Sequence, residues 1–152
     1  ESAQKELKQR VEDAVAATRA AMEEGIVPGG GIALFNVALA PANFSGEAGM
    51  ILLHTLESPL RAIVENSGES PDKVIGALKK EKGGGWTGFN AVTNKIGDLK
   101  GAGIVDPLKV VKTALVNAVS VAANYLTVGV AVTNVPEKKS GASGMPPGGE
   151  EY

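Results

Sequence analysis

The sequence has no cysteine among its 152 residues and only one histidine, His54. The first absence excludes disulfide scaffolds, thiolate zinc sites and cysteine nucleophiles. The second leaves no Ser-His-Asp constellation, because the lone histidine has no elbow-type serine motif to serve. No His/Asp/Glu spacing forms a credible metal cage either. His54 sits among Leu52, Leu53 and Leu56 and reads as a partly buried helix residue. Aromatics are scarce at 4%, while 43% of the chain is hydrophobic, so a real core must be built from Val, Ile, Leu and Ala. An excess of one charge is missing as well. The formal net charge of −2 offers no attraction for nucleic acid or anionic lipid. A cytosolic setting is compatible with all of this.

What is present begins with Glu1 and a charged helical pattern, not an apolar secretion signal. The expectation is a piece of a longer polypeptide whose site is shared with the rest. From Thr113 to Pro136 no residue is charged, which raises the possibility of a membrane span. However, Thr113, Asn117, Ser120, Asn124 and Thr127 project within roughly 80° on a helix turning about 100° per residue. A bundle helix with a polar face accounts for that stripe; lipid would penalise it.

Along the chain, Leu7, Val11, Ala14/Val15, Thr18 and Met22 recur at three- and four-residue steps, predicting a helix from Ser2 to Glu24. Gly25 stands at its C-cap position. A hinge-like break, Gly25 to Gly31, precedes the apolar run Ile32 to Ala40. A second helical region covers Glu47 to Asn66, with Met50, Leu53, Leu56, Leu60, Ile63 and Val64 as its core face and Pro59 as its break. Ser70 and Pro71 open a short helix to about Lys80. Glycines punctuate residues 83 to 105, predicting an irregular hairpin or loop pair. Asp106 then reads as the cap of a helix with Pro107 in its first turn, and Val110, Val111, Ala114, Leu115, Ala118, Ala122 and Tyr125 as its inward face. Val128 to Val135 is a strand candidate needing a partner strand, for which another chain is one source. Residues 138–152 have a disordered composition.

Few residues call for chemistry on their own. Asp13 lies about 200° around the helix from Val11, away from the apolar stripe. Such a carboxylate is ordinarily solvated, yet it is able to orient a water for attack on a phosphate. Gly29-Gly30-Gly31 before a helix allows a nucleotide to approach the backbone, though such a triplet is more often a plain turn. There is no GxxxxGK[ST], so it is not a P-loop. Asp106 is by default a cap that could also accept hydrogen bonds from sugar hydroxyls. Asn90, after Gly88-Phe89, reads as a turn residue.

Four segments together resemble the GroEL-like group I chaperonins of the Cpn60 family. They are Arg10-Val11-Glu12-Asp13-Ala14 with Ala17-Thr18-Arg19-Ala20-Ala21, Glu23-Glu24-Gly25-Ile26-Val27-Pro28-Gly29-Gly30-Gly31, Gly88-Phe89-Asn90-Ala91, and Gly103-Ile104-Val105-Asp106-Pro107-Leu108-Lys109-Val110. The resemblance spans residues 1 to about 137 and loosens from Phe35 to Glu47 and near Lys82. It implies a mainly α fold. Residues 1–24 would be the returning intermediate-domain helix, and 25–137 the C-terminal half of the equatorial domain, a helical bundle with a small hairpin and a terminal strand. Residues 138–152 would be a disordered tail; they lack the Gly-Gly-Met repeats common in bacterial members.

The resemblance further implies that Asp13 positions the water that attacks ATP, and that Gly30 packs against the nucleotide. Asn90, Ala91 and Val92 would form the adenine-side loop, Val92 being variable there. Ile104 would pack near the base and Asp106 would hold the ribose. The phosphate loop and the magnesium-coordinating aspartate would belong to an N-terminal half, and the client- and lid-gripping apical domain would also lie outside this sequence. The implied cofactors are ATP/ADP and Mg2+. The implied partners are further copies in a double seven-membered ring, a co-chaperonin lid and unfolded proteins, with no nucleic acid and no membrane. The implied location is the bacterial cytoplasm, ahead of an organellar matrix. From a different class, a helical scaffold or assembly module without a nucleotide role is the alternative.

Overall fold

Regular local patterns become ten elements in the computed structural model, which describes residues 2–40, 46–81 and 85–134. In chain order they are α1 (Ser2–Glu24), β1 (Ile26–Pro28), α2 (Ile32–Leu39), α3 (Glu47–Thr55), α4 (Ser58–Asn66), α5 (Pro71–Lys80), β2 (Thr87–Asn90), β3 (Lys95–Asp98), β4 (Val105–Pro107) and α6 (Leu108–Leu126). The molecule is mainly helical, as expected. The helix predicted over Ser2–Glu24 forms with those bounds. It stops because Gly25 takes the left-handed conformation at φ 84° while its N–H still donates to Ala21 O at 2.8 Å. The Glu47–Asn66 region divides into α3 and α4, and Pro59 sits in the first turn of α4, where its missing N–H costs nothing. Ser70 is at the N-cap of α5, although its side chain makes no capping bond.

The core is a wedge of α2, α4, α5 and the β2–β3 hairpin. Ile32, Phe35, Leu60, Val64, Leu78 and Leu99 are closed off almost completely, with Val74, Ile75 and Phe89 around them. Burying each large aliphatic side chain is worth about 1.5–3 kcal/mol. The hairpin closes over the wedge through antiparallel pairing of Phe89 with Ile96 and Gly88 with Gly97. An ion-pair network staples α4 to α5. Glu57, buried at the start of α4, accepts from Lys79 Nζ at 2.6 Å and Arg61 Nη2 at 3.4 Å, and Arg61 Nη1 reaches Asp72 at 2.8 Å. Burial alone would raise the Glu57 pKa. The Lys79 hydrogen bond and the charges of Lys79 and Arg61 outweigh it and hold the carboxyl below its ordinary value.

Several expectations are corrected. Asp106 does not cap α6: it lies in β4, and Pro107 occupies the N-cap position without a side-chain bond. The reason is that the chain stays extended through Pro107 to pair with β1. His54 is exposed, not partly buried. Met50 is 63% exposed, and Tyr125 on the expected inward face of α6 is 79% exposed, because no element of the described chain lies over them. Residues 128–134 form no strand; the described residues offer them no partner strand. The 138–152 tail, Lys82 and the end of the strand candidate at Val135 lie outside the described residues. Among those described, no helix is long and apolar enough to cross a membrane. Two polar-stripe side chains are satisfied locally, Ser120 Oγ by Val116 O and Thr127 Oγ1 by Asn124 O.

Candidate functional site

Two three-residue strands far apart in sequence, β1 (Ile26–Pro28) and β4 (Val105–Pro107), form a short antiparallel ladder. Ile26 faces Pro107, Val27 faces Asp106 and Pro28 faces Val105. Gly29 extends the ladder by donating its N–H to Ile104 O at 3.1 Å. Its backbone lies so close that an added Cβ would stand 3.1 Å from Ile104 Cγ2. The glycine triplet is thereby anchored against residues 104–106.

The next two glycines bring in the rest of the site. Gly31, at φ 78°, leaves no room for a side chain: a Cβ would lie 2.7 Å from Leu60 N. This fixes α2 against the head of α4. Gly30, at φ 65°, runs beside the hairpin, with a Cβ position 3.6 Å from Phe89 O. The hairpin and the 99–104 loop are tied to the same wall by Leu99 N–H to Trp86 O (2.9 Å) and Ile104 N–H to Leu99 O (2.8 Å). The glycine triplet therefore adjoins both Phe89 of the hairpin and residues 104–106.

The chemistry available there is limited and specific. Asp106 is half-buried, and among the described residues no hydrogen bond or ion pair engages its carboxylate. Burial therefore pushes its pKa above the ordinary value of 3.8. A desolvated acceptor without a donor is a signature of a ligand-contact position. Ile104 is half-buried and packs against the core, so it offers an apolar surface. Asn90 begins the hairpin turn as its sequence position suggested: its Oδ1 accepts from Val92 N at 2.9 Å and Thr93 N at 3.3 Å. Only its amide N–H groups are left for an outside partner. Ala91 and Val92 project into solvent at the tip, Val92 at 93% exposure. Among the described residues no cluster of three or more His, Asp or Glu could hold a metal ion.

Asp13 is not brought to this edge. It is exposed on α1, about 16 Å along the helix axis from Glu24 at ~1.5 Å per residue. Sequence reasoning missed Gly29 as the anchoring residue and Val27 as the cross-strand partner of Asp106. Each strand is three residues long, too few for a periodicity to register. A second concavity, about 580 Å³, runs between α3 and α6; Leu34, Ile51, Leu52, Leu115 and Val119 are among its lining residues. Its lining carries no charged side chain, and no residue of 29–31, 89–92 or 104–106 takes part in it. The family model described as the TCP-1/cpn60 chaperonin family matches residues 1–135.

Proposed function

The chain belongs to the TCP-1/cpn60 chaperonin family, and from that premise we propose that it is the ATP-binding, ring-forming part of a GroEL-like chaperonin. Family membership carries chaperonin function in general; the finer assignments are our reading. Residues 25–137 serve as the C-terminal half of an equatorial domain, and α1 serves as an intermediate-domain helix above it. The observation that supports the reading is that the glycine triplet adjoins both Phe89, the neighbour of Asn90, and the ladder that carries Asp106, whose half-buried carboxylate has no partner among the described residues.

In this reading Asp106 accepts hydrogen bonds from ribose hydroxyls, which relieves its desolvation. Ile104 packs beside the base, and Asn90, Ala91 and Val92 close over its edge. Gly30 presents bare backbone where a side chain would intrude. ATP with Mg2+ supplies the phosphoryl chemistry, on phosphate and metal contacts furnished outside these residues. Asp13 orients the attacking water when α1 tilts toward the site about Gly25. Copies assemble into a double ring, and unfolded proteins and a co-chaperonin lid engage a part of the polypeptide beyond this sequence. The setting is the bacterial cytoplasm.

The test is ATP binding and hydrolysis by the full-length polypeptide, as wild type, Asp13→Ala and Asp106→Ala. Asp13→Ala should keep binding and lose hydrolysis by orders of magnitude. Asp106→Ala should weaken binding about 10- to 100-fold, the worth of a hydrogen bond to a charged group. If neither quantity changes in either variant, the site assignment fails while the family stands. The 152-residue chain alone should neither turn over ATP nor refold a client. The uncovered apolar faces of α1 and α6 favour a second reading for the chain by itself, an assembly module whose glycines serve turns only. Absence of nucleotide contact at Gly30 and Asp106 would select it.

A further inference from the structure

We propose, on the reading of Ile104 as the residue beside the base, that Asp98 is a positioning residue whose carboxylate folds the 99–103 turn and so presents Ile104 to the nucleotide. Asp98 ends β3 and is exposed, yet both of its carboxylate oxygens are spent on the turn that follows. Oδ1 accepts from the Lys100 N–H and Oδ2 from the Gly101 N–H, each at 3.0 Å. The Asp98 carbonyl takes the next donor, the Ala102 N–H, at 3.2 Å. Three successive N–H groups thus point back to one residue. Gly103 closes the turn at φ 71°, a conformation open to glycine without steric cost, and donates to Lys100 O at 3.1 Å. Gly101 leaves the carboxylate its place: an added Cβ would stand 2.8 Å from Asp98 Oδ2.

The turn runs between fixed ends. Leu99 is buried in the core, and its N–H donates to Trp86 O at 2.9 Å. Ile104 returns to the same residue, its N–H donating to Leu99 O at 2.8 Å, while its carbonyl accepts from the Gly29 N–H. Ile104 is therefore where the turn hands over to the glycine triplet, and its place depends on how residues 100–103 are folded. A charged acceptor makes stronger hydrogen bonds than a neutral one, and a side chain that holds neighbouring backbone N–H groups removes competing loop conformations. Asn90 does the same for the hairpin turn, through Val92 and Thr93. The share of Asp98 is separable from the rest of the edge. Asp106 is held by its own ladder with Val27, which Asp98 does not touch. Loss of the Asp98 carboxylate should blur the apolar contact with the base and spare the sugar, the phosphates and Asp13.

The test compares ATP with ribose 5′-triphosphate, which keeps the sugar and phosphates and lacks the base, on the full-length polypeptide. Binding of both and steady-state ATP hydrolysis are measured for the wild type, Asp98→Ala, Asp98→Asn and Gly101→Ala. The wild type should bind ATP more tightly than the base-less compound. Asp98→Ala should weaken ATP binding about tenfold, the worth of a methylene in an apolar pocket, and leave ribose triphosphate binding unchanged. Its KM for ATP should rise with kcat unchanged, the sign of lost ground-state binding. Asp98→Asn keeps one acceptor oxygen and should recover part of the loss. Gly101→Ala pushes the carboxylate aside without removing it and should repeat the effect of Asp98→Ala; it carries the test alone if Asp98→Ala does not fold. A purely structural turn would lower Tm and leave the preference for ATP intact. An intact preference in Asp98→Ala and Gly101→Ala, or an equal loss for both ligands, overturns the proposal while the nucleotide reading stands. No preference in the wild type overturns that reading and the role of Asp98 together.

Discussion

The α2–α4–α5 wedge and the α1–α6 arm carry equally regular apolar patterns and meet opposite fates. In the wedge, Leu60 and Val64 are 0% exposed; on α6, Val121 is 68% exposed, and on α1, Leu7 is 61% exposed. The wedge closes because Pro59, Gly31 and the hairpin bring three covering surfaces onto α4. Among the described residues, the arm is held at Gly25, β4 and the ion pairs Lys109–Glu23 and Lys112–Glu24, and α6 faces α3 across an open concavity. An amphipathic stripe specifies which face should be covered; whether a cover exists depends on what else the polypeptide brings.

Four measurements would break or sharpen that contrast. The largest effect is expected at the wedge centre: Phe35→Ala should cost about 3–5 kcal/mol in urea unfolding, whereas Val121→Ala should stay within about 0.5 kcal/mol. Equal costs would mean that the arm is covered in solution by another copy. Next, Gly31→Ala should cost at least about 1–3 kcal/mol, since it combines a left-handed backbone with a Cβ collision against the α4 backbone.

Lys79→Met should follow at about 1–3 kcal/mol, the cost of leaving a buried acceptor short of its partner. Because the folded pKa of Glu57 lies below its ordinary 4.5, the stabilisation is present above that value and lost as pH falls through the folded one. The gap between wild type and Lys79→Met should therefore narrow on acidification; a gap independent of pH would remove the ionic staple from the account. The smallest effect has the opposite sign. Asp106 has a raised pKa, so native stability falls as pH rises from its ordinary 3.8 through the folded value. Asp106→Asn should modestly raise Tm at neutral pH and leave it unchanged in strong acid. A fall in Tm at neutral pH would give the carboxylate a structural partner in place of a binding role.

Much of the scaffold was legible before any coordinates. The bounds of α1, the Ser70-Pro71 opening of α5, the division near Pro59 and the hairpin all follow from local chemistry: periodicity, prolines in first helical turns and glycine-rich turns. The errors share one cause. Asp106 was read as a cap because Asp-Pro before an apolar run ordinarily opens a helix; a three-residue ladder with Ile26–Pro28 kept it extended. Met50, Tyr125 and His54 were assigned to covered faces that the described chain leaves open. Of the candidate site, Gly30, Asn90, Ile104 and Asp106 stand out one by one, chiefly through family resemblance, and no spacing rule joins Gly29 to Ile104 or Gly30 to Phe89.

The amino-acid sequence by itself determined the helices, most of their ends and the exclusion of thiol and histidine chemistry, because those depend on neighbours within a few residues. Only the tertiary structure decided that Val27 stands across from Asp106, that Gly30 runs beside Phe89, and that the charges of Glu23 and Glu24 answer those of Lys109 and Lys112. Those pairings are contacts between distant segments. Their free energy comes from desolvation and charge at the meeting point, and no local window of sequence contains both partners.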